Sequence, residues 1–195
     1  MADSSRSDPT CRSELLRLLR GEGGRGNSEP VQALLEELER QQPADLVRDA
    51  DRLSGVWELR WSSSRLPYLM VAPWLENLQV LDPANGRAMN LLRLAGPLGP
   101  LAGIAVQAAI RVQGQQRVEV RFERGGWLGP RLGGQRLTLL REVSQSFPAW
   151  LDITVLDAEL RVCRGNAGTL FALLRHPQLR PEDLLEPAAG GSRPS

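Results

Sequence analysis

Up to Leu53 the apolar positions follow a helical period, and beyond it they follow the period of two that marks a half-buried strand. Ser13 to Arg20 has helical spacing with a serine able to cap it, and it stops at Gly21 in a glycine-rich break through Gly26. A second helix is expected from Ser28, with Pro30 in its first turn and Val31, Leu34, Leu35 and Leu38 as its apolar stripe. A third short piece, Ala44 to Arg52, carries acids and arginines that suit a solvated outer face. These helices are expected to plug or brace a sheet; docking of a partner is the other reading of the same stripe.

In the strand region, Trp57, Leu59 and Trp61 fall on one face and Glu58 and Arg60 on the other. The proline-broken stretch Leu66 to Leu75 reads as a loop or short helix over an open end. Glu76 to Leu81 and Arg87 to Leu94 flank Asp82-Pro83-Ala84-Asn85-Gly86, a hairpin signal. Ile104 to Val112 and Arg117 to Glu123 pair across Gln113 to Gln116, and Gly125 to Gly134 reads as a long flexible connection to Gln135–Glu142. The last apolar block, Ala149 to Arg175, reads as three short strands, with Leu151, Ile153 and Val155 on one face and turns at Asp157-Ala158-Glu159 and Gly165-Asn166-Ala167-Gly168. About nine strands with short antiparallel connections are enough to close a barrel, and nothing reads as a βαβ crossover. The 195 residues suit one domain, organised as a segment 1–27 with a short helix, a helical brace plus barrel over 28–176, and a partly disordered tail over 177–195.

Alternation puts Arg164 on the face of Leu160 and Val162, so its guanidinium must find an acid or a bound polar group, and Asp157 and Asp152 are the nearby candidates. The surrounding stretch, W-L-D-I-T-V-L-D-A-E-L-R-V-C-R-G-N-A-G-T-L-F-A-L-L, resembles the C-terminal signature of the plastid lipid-associated protein (PAP/fibrillin) family of plastids and cyanobacteria. The first strand is similar to that family's G-x-W-x-L-x-Y-T-S-S, with Trp61 in place of the tyrosine and Ser62 in place of the threonine. Gln79, Asp82, Gly86, Arg87 and Asn90 follow its Q-x-x-D…G-R…N pattern. The resemblance implies a mainly β fold, an antiparallel lipocalin-like β-barrel with N-terminal helices packed against it. It also implies binding of a lipid, a prenylquinone or another hydrophobic metabolite at or near thylakoids. On that footing Trp57, Leu59 and Trp61 line a wall of an apolar pocket; plain core packing explains the same residues. Asp157, Arg161 and Arg164 match the family's D-x-x-x-R-x-x-R-G motif and would orient a polar head group. Alternatively, Asp157 caps its turn and pairs with an arginine, and the two readings are compatible.

Composition narrows the function. Basic and acidic residues nearly cancel, 24 against 23, so no global field argues for nucleic acid, and every basic residue is arginine. Cys11 and Cys163 are too few and too differently placed for a structural disulfide, which favours a reducing compartment, and no metal-ligand cluster is visible. The N-terminus MADSSRSDPT has no apolar h-region and does not suit secretion or plastid import; this favours a cyanobacterial protein, cytoplasmic or peripheral on the thylakoid membrane. Catalysis is not expected: His176 is the sole histidine, it borders Pro177 at the end of the last strand, and there is no nucleophile elbow, phosphate loop or cofactor motif. Trp127 and Leu128, with Arg131 and other arginines beside them, are expected at a loop tip able to dip into an anionic bilayer. Two function classes remain. One is a carrier with a hollow barrel; the other is a membrane or lipid-body coat or scaffold with a filled one.

Overall fold

The computed structural model describes residues 9–21, 28–64, 69, 71–133, 135–144, 148–166 and 168–186. Three helices come first, α1 (Pro9–Leu19), α2 (Ser28–Gln41) and α3 (Leu46–Leu53). Asp45 caps α3 by accepting a hydrogen bond from Val47 N at 3.1 Å. α3 shows solvent its charged face while Leu46 and Leu53 are fully buried, so it plugs the barrel.

Nine strands follow among the described residues: β1 (Gly55–Ser62), β2 (Leu75–Asp82), β3 (Arg87–Leu94), β4 (Gly103–Gln113), β5 (Arg117–Leu132), β6 (Gln135–Glu142), β7 (Ala149–Leu156), β8 (Leu160–Gly165) and β9 (Leu170–Arg175). A short helix, α4 (Pro181–Leu184), comes last. Each of β1 to β5 pairs antiparallel with the next, and β7, β8 and β9 lead back to β1. The start of β5, Arg117 to Val120, pairs with β7, while its far half, from Arg124, pairs with β6. Eight strands therefore close into an antiparallel barrel, and β6 extends the far half of β5 beyond its rim. Closure pairs these eight strands around the barrel and leaves β6 as the edge strand of the extension.

The expected flexible connection after Gly125 is a strand instead. Gly126 sits at φ +153, and a Cβ there would stand 2.1 Å from Leu139 O, so its glycine lets β6 approach β5. Gly134 lies outside the described residues, as do Ala167, Leu66, Pro67, Tyr68, Met70 and most of the glycine-rich break after Gly21.

Strict alternation fails at four register shifts among the described strands, and the two in β1 and β7 redirect residues singled out from the sequence. The register of β1 against β9 shifts between Leu59, opposite Leu173, and Trp61, opposite Ala172. The register of β7 against β8 shifts between Ile153, opposite Cys163, and Val155, opposite Val162. A bulge inserts one residue, so every side chain after it changes face. Trp57 and Leu59 point inward, whereas Trp61 points out against the helices; likewise Leu151 and Ile153 point inward and Val155 out.

Three apolar clusters result. The interior one joins Trp57, Leu59, Ile153, Cys163, Phe171 and Leu173 to the plug residues Leu46 and Leu53. A second lies on the outer face of β7, β8 and β9, where Val155, Leu160, Val162 and Ala172 meet Leu15, Leu35 and Leu38 of α1 and α2. A third covers the outer face of β1 to β4 with Leu184 and Leu185. The part of the expected tail that is described thus packs on the barrel; residues 187–195 lie outside the described ones.

Candidate functional site

The barrel interior is divided. Trp57, Leu59 and Leu173, with α3 below them, fill the end where β1 begins. Toward the other end the walls leave a cavity of about 320 Å3, at the small end of the ~300–1,000 Å3 typical of small-molecule sites. Ala108 and Ile110 of β4, Val118 and Phe122 of β5, and Ile153 and Phe171 line its sides, with Leu69 among the lining residues. Inward-facing small residues on β3 and β4, Ala88 and Ala108, stand opposite each other and leave the space unfilled.

Two polar side chains form the floor. Gln79 of β2 is 7% exposed, and Arg161 of β8 is fully buried. Arg161 Nη2 donates to Gln79 Oε1, and its guanidinium lies 5.2 Å from the centroid of the Trp57 ring. Its Nε and Nη1 have no hydrogen-bond partner among the described residues. No acidic side chain lines the cavity among the described residues. Burial, aided by the like charge of Arg175, pulls Arg161 below its ordinary pKa, but a guanidinium stays protonated. Its neighbour Cys163 offers no counter-charge, because burial pushes that thiol up in spite of the adjacent cation. The floor is thus a desolvated cation with a neutral amide beside it.

The other residues singled out from the sequence go elsewhere. Of Trp57, Leu59, Trp61, Asp157, Arg161 and Arg164, only Arg161 lines the cavity. Trp57 and Leu59 pack beneath its floor, and Trp57 Nε1 donates to Leu53 O at 3.0 Å. Trp61 is outside the barrel. The trio Asp157, Arg161 and Arg164 is not a constellation. Asp157 Oδ1 accepts from Glu159 N at 2.7 Å and Leu160 N at 2.8 Å, and its Oδ2 accepts from Arg12 Nε at 2.9 Å, so it closes its turn against α1. Arg164 does share a face with Leu160 and Val162, but its partner is Glu39 of α2; Asp152 is engaged by Arg117. Gln79 and Asn90, quoted above as family-pattern residues without a role, both line the cavity. The polar types at those otherwise inward positions of a strand were the signal for them.

At the cavity's open end the sheet carries its inner face past the barrel rim. Trp127 of β5 stands opposite Ile104 of β4 and Leu139 of β6, at 40%, 63% and 62% exposure. Leu94, Leu132 and Leu137 are exposed as well, which is a large apolar area for a protein surface. Trp127 therefore sits on an open strand face, not at a loop tip. Leu128 points the opposite way and is buried in the cluster under Leu184 and Leu185, so it is not part of that surface. Arg131 is exposed beside Arg136, its pairing partner on β6. A second groove, of about 700 Å3, lies at the plugged end, where Asp82, Glu159, Arg175 and Arg180 share the lining with Val56 and Leu179; it is more polar than the barrel cavity. No helix among the described residues is long and apolar enough to cross a membrane, and no group of metal-ligating side chains occurs among them.

The profile of the PAP_fibrillin family matches residues 12–174. A probable plastid-lipid-associated protein 2, chloroplastic, of Arabidopsis thaliana is 28% identical over 198 residues, covering 76% of this chain and 64% of that protein. A light-induced protein, chloroplastic, of Solanum tuberosum is 27% identical over 201 residues, covering 76% and 60%. Plastid lipid-associated protein 1, chloroplastic, of Brassica campestris is 26% identical over 193 residues, covering 74% and 59%. The chain spans roughly three fifths of the length of these relatives. No solved structure matches it.

Proposed function

The chain belongs to the PAP_fibrillin family, and on that footing we propose that it binds a hydrophobic metabolite, a lipid or prenylquinone, in the barrel cavity at or near a photosynthetic membrane, without catalysing a reaction. The observation that carries this reading is that the apolar cavity, lined by Val106 of β4, is followed two residues along the same strand by the exposed Ile104 and its partner Trp127. A ligand moving from a lipid phase into the barrel along that face never crosses bulk water, which removes the main barrier to transferring an apolar chain. The names of the relatives, plastid-lipid-associated proteins, support the same reading. Ile104, Trp127 and Leu139 then rest on the lipid surface, with Arg131 within reach of anionic headgroups.

The exposed face by itself also suits a coat or scaffold protein, the second reading. The unfilled interior favours the carrier, because a coat has no use for a hollow that forfeits packing contacts. The test is lipid extraction and mass spectrometry of the protein purified from its own host, beside a variant with the hollow filled, Ala108→Phe. A stoichiometric lipid or quinone in the native protein and its absence from the folded variant is the expected result. An empty native protein that still sediments with membranes would leave the coat.

A further inference from the structure

The floor of the cavity holds a charge that no described residue answers. Arg161 Nε and Nη1 together carry three of the guanidinium's five N–H donors, and none of the three has a partner among the described residues. Gln79 satisfies one contact, yet an amide is neutral, and the Trp57 face supplies only a quadrupole. Three other arginines that meet a barrel strand or helix end are answered, although Arg87 Nε and Arg136 Nε also lack a partner among the described residues. Arg164 has Glu39, Arg117 has Asp152, and Arg175 donates to the carbonyls of Arg52 and Ser54 at the end of α3 and of Ala158 in the turn between β7 and β8. A buried cation left without a counter-charge is among the least favourable arrangements in a protein interior, and a bound anion is the direct remedy.

We infer that the ligand is an apolar chain ending in a carboxylate, seated head-first with its carboxylate on Arg161 and Gln79 at the closed end of the cavity and its chain directed past Phe122 toward the open rim. This rests on the proposed binding of a hydrophobic metabolite in the barrel and narrows its class. The floor is closed by Trp57, Leu59 and α3, so the head must be terminal and small. A phosphodiester carries substituents on both sides and cannot end a chain there. A quinone carbonyl accepts a hydrogen bond but leaves the cation uncompensated, whereas a carboxylate accepts charge-assisted bonds that are shorter and about twice as strong as neutral ones.

The test uses the full chain and cis-parinaric acid, whose fluorescence rises in an apolar site, beside its methyl ester and decylubiquinone. The readout is the ratio of acid to ester affinity. The wild type is expected to bind the acid at least tenfold tighter than the ester or the quinone. Arg161→Met, which replaces the buried cation by an aliphatic chain, is expected to bring the ratio near one. Gln79→Glu has nearly the same volume and supplies an internal carboxylate; it is expected to do the same, and it decides the matter if Arg161→Met does not fold. Equal affinity for acid and ester in the wild type, or an acid preference that survives Gln79→Glu, overturns the carboxylate while leaving the cavity reading intact. If none of the three probes binds the wild type, both the carboxylate and the cavity reading fall.

Discussion

Arg164 on β8 and Glu39 on α2, 125 positions apart, meet in a two-pronged ion pair, Nε to Oε1 at 2.9 Å and Nη2 to Oε2 at 2.6 Å. The fork geometry suits a guanidinium better than any other cation, and Glu39 holds Arg164 above its ordinary pKa. The pair sits at the border of the apolar cluster that fastens α1 and α2 to the barrel. Glu39→Ala and Arg164→Ala are each expected to lower stability by about 1 kcal/mol, since Arg164 is partly exposed, with a coupling of about 0.5 kcal/mol that shrinks in high salt. A double-mutant cycle by urea unfolding at two salt concentrations measures both.

Trp61 separates the barrel's outside from its inside. Trp61→Ala removes an aromatic wedge between β1 and the helices and is expected to cost about 2 kcal/mol, below the range for fully buried aromatics because the residue keeps some exposure. Fluorescent-lipid affinity of the folded variant is expected to stay within twofold of wild type. A tenfold loss of affinity without unfolding would place Trp61 in the binding site after all.

Asp157 makes stability depend on pH. Burial disfavours its charge, but the hydrogen bonds from Arg12, Glu159 N and Leu160 N outweigh that and hold its pKa below the usual carboxylate value. A depressed folded-state pKa means that the unfolded chain takes up the proton first as pH falls. The contribution is therefore complete above the unfolded value of about 3.9 and is lost as pH drops through the lower folded value. Asp157→Asn is expected to be about 1 kcal/mol less stable than wild type at pH 7, with the gap closing below about pH 4. Urea unfolding at pH 7, 5 and 3 follows the difference.

Gly129 is the bed on which Trp127 lies. A Cβ at Gly129 would meet the Trp127 ring at 2.2 Å, so Gly129→Ala must displace the indole. The variant is expected to keep its fold, shift the tryptophan emission and bind anionic vesicles several-fold more weakly. Sedimentation with vesicles of anionic and of neutral lipid checks this, and unchanged binding to both would remove Trp127 from the lipid contact.

Gly55 has a different constraint. At φ +150, its missing Cβ leaves room for Arg175 Nη1, which would otherwise lie 2.2 Å away. Arg175 stacks on Trp57 at 4.2 Å and donates to the last carbonyls of α3. Gly55→Ala is expected to cost about 2 kcal/mol or more by unseating that cap, read as a lowered thermal midpoint.

Much of the architecture is written locally. The period of two along β1 to β4, the Asp82 to Gly86 turn and the C-terminal meander depend on neighbours within a few residues, and β3 and β6 run over the residues the pattern marks. The resemblance to the family's D-x-x-x-R-x-x-R-G motif likewise marks Arg161 as a notable position. What the spacing cannot carry is which way a side chain points after an irregularity. A bulge changes the face of everything beyond it at no visible cost in sequence, so Trp61 and Val155 exchange inside for outside. Gly125, Gly126 and Gly129 have the composition of a loop, yet close approach of β6 and of the Trp127 ring makes them strand. Partners distant in sequence were decided only in three dimensions: Glu39 for Arg164, Arg12 for Asp157, Gln79 for Arg161. The hollow belongs to the same class. Its size depends on how eight strands close around Ala88 and Ala108, and a cavity is a property of closure, which no single segment contains.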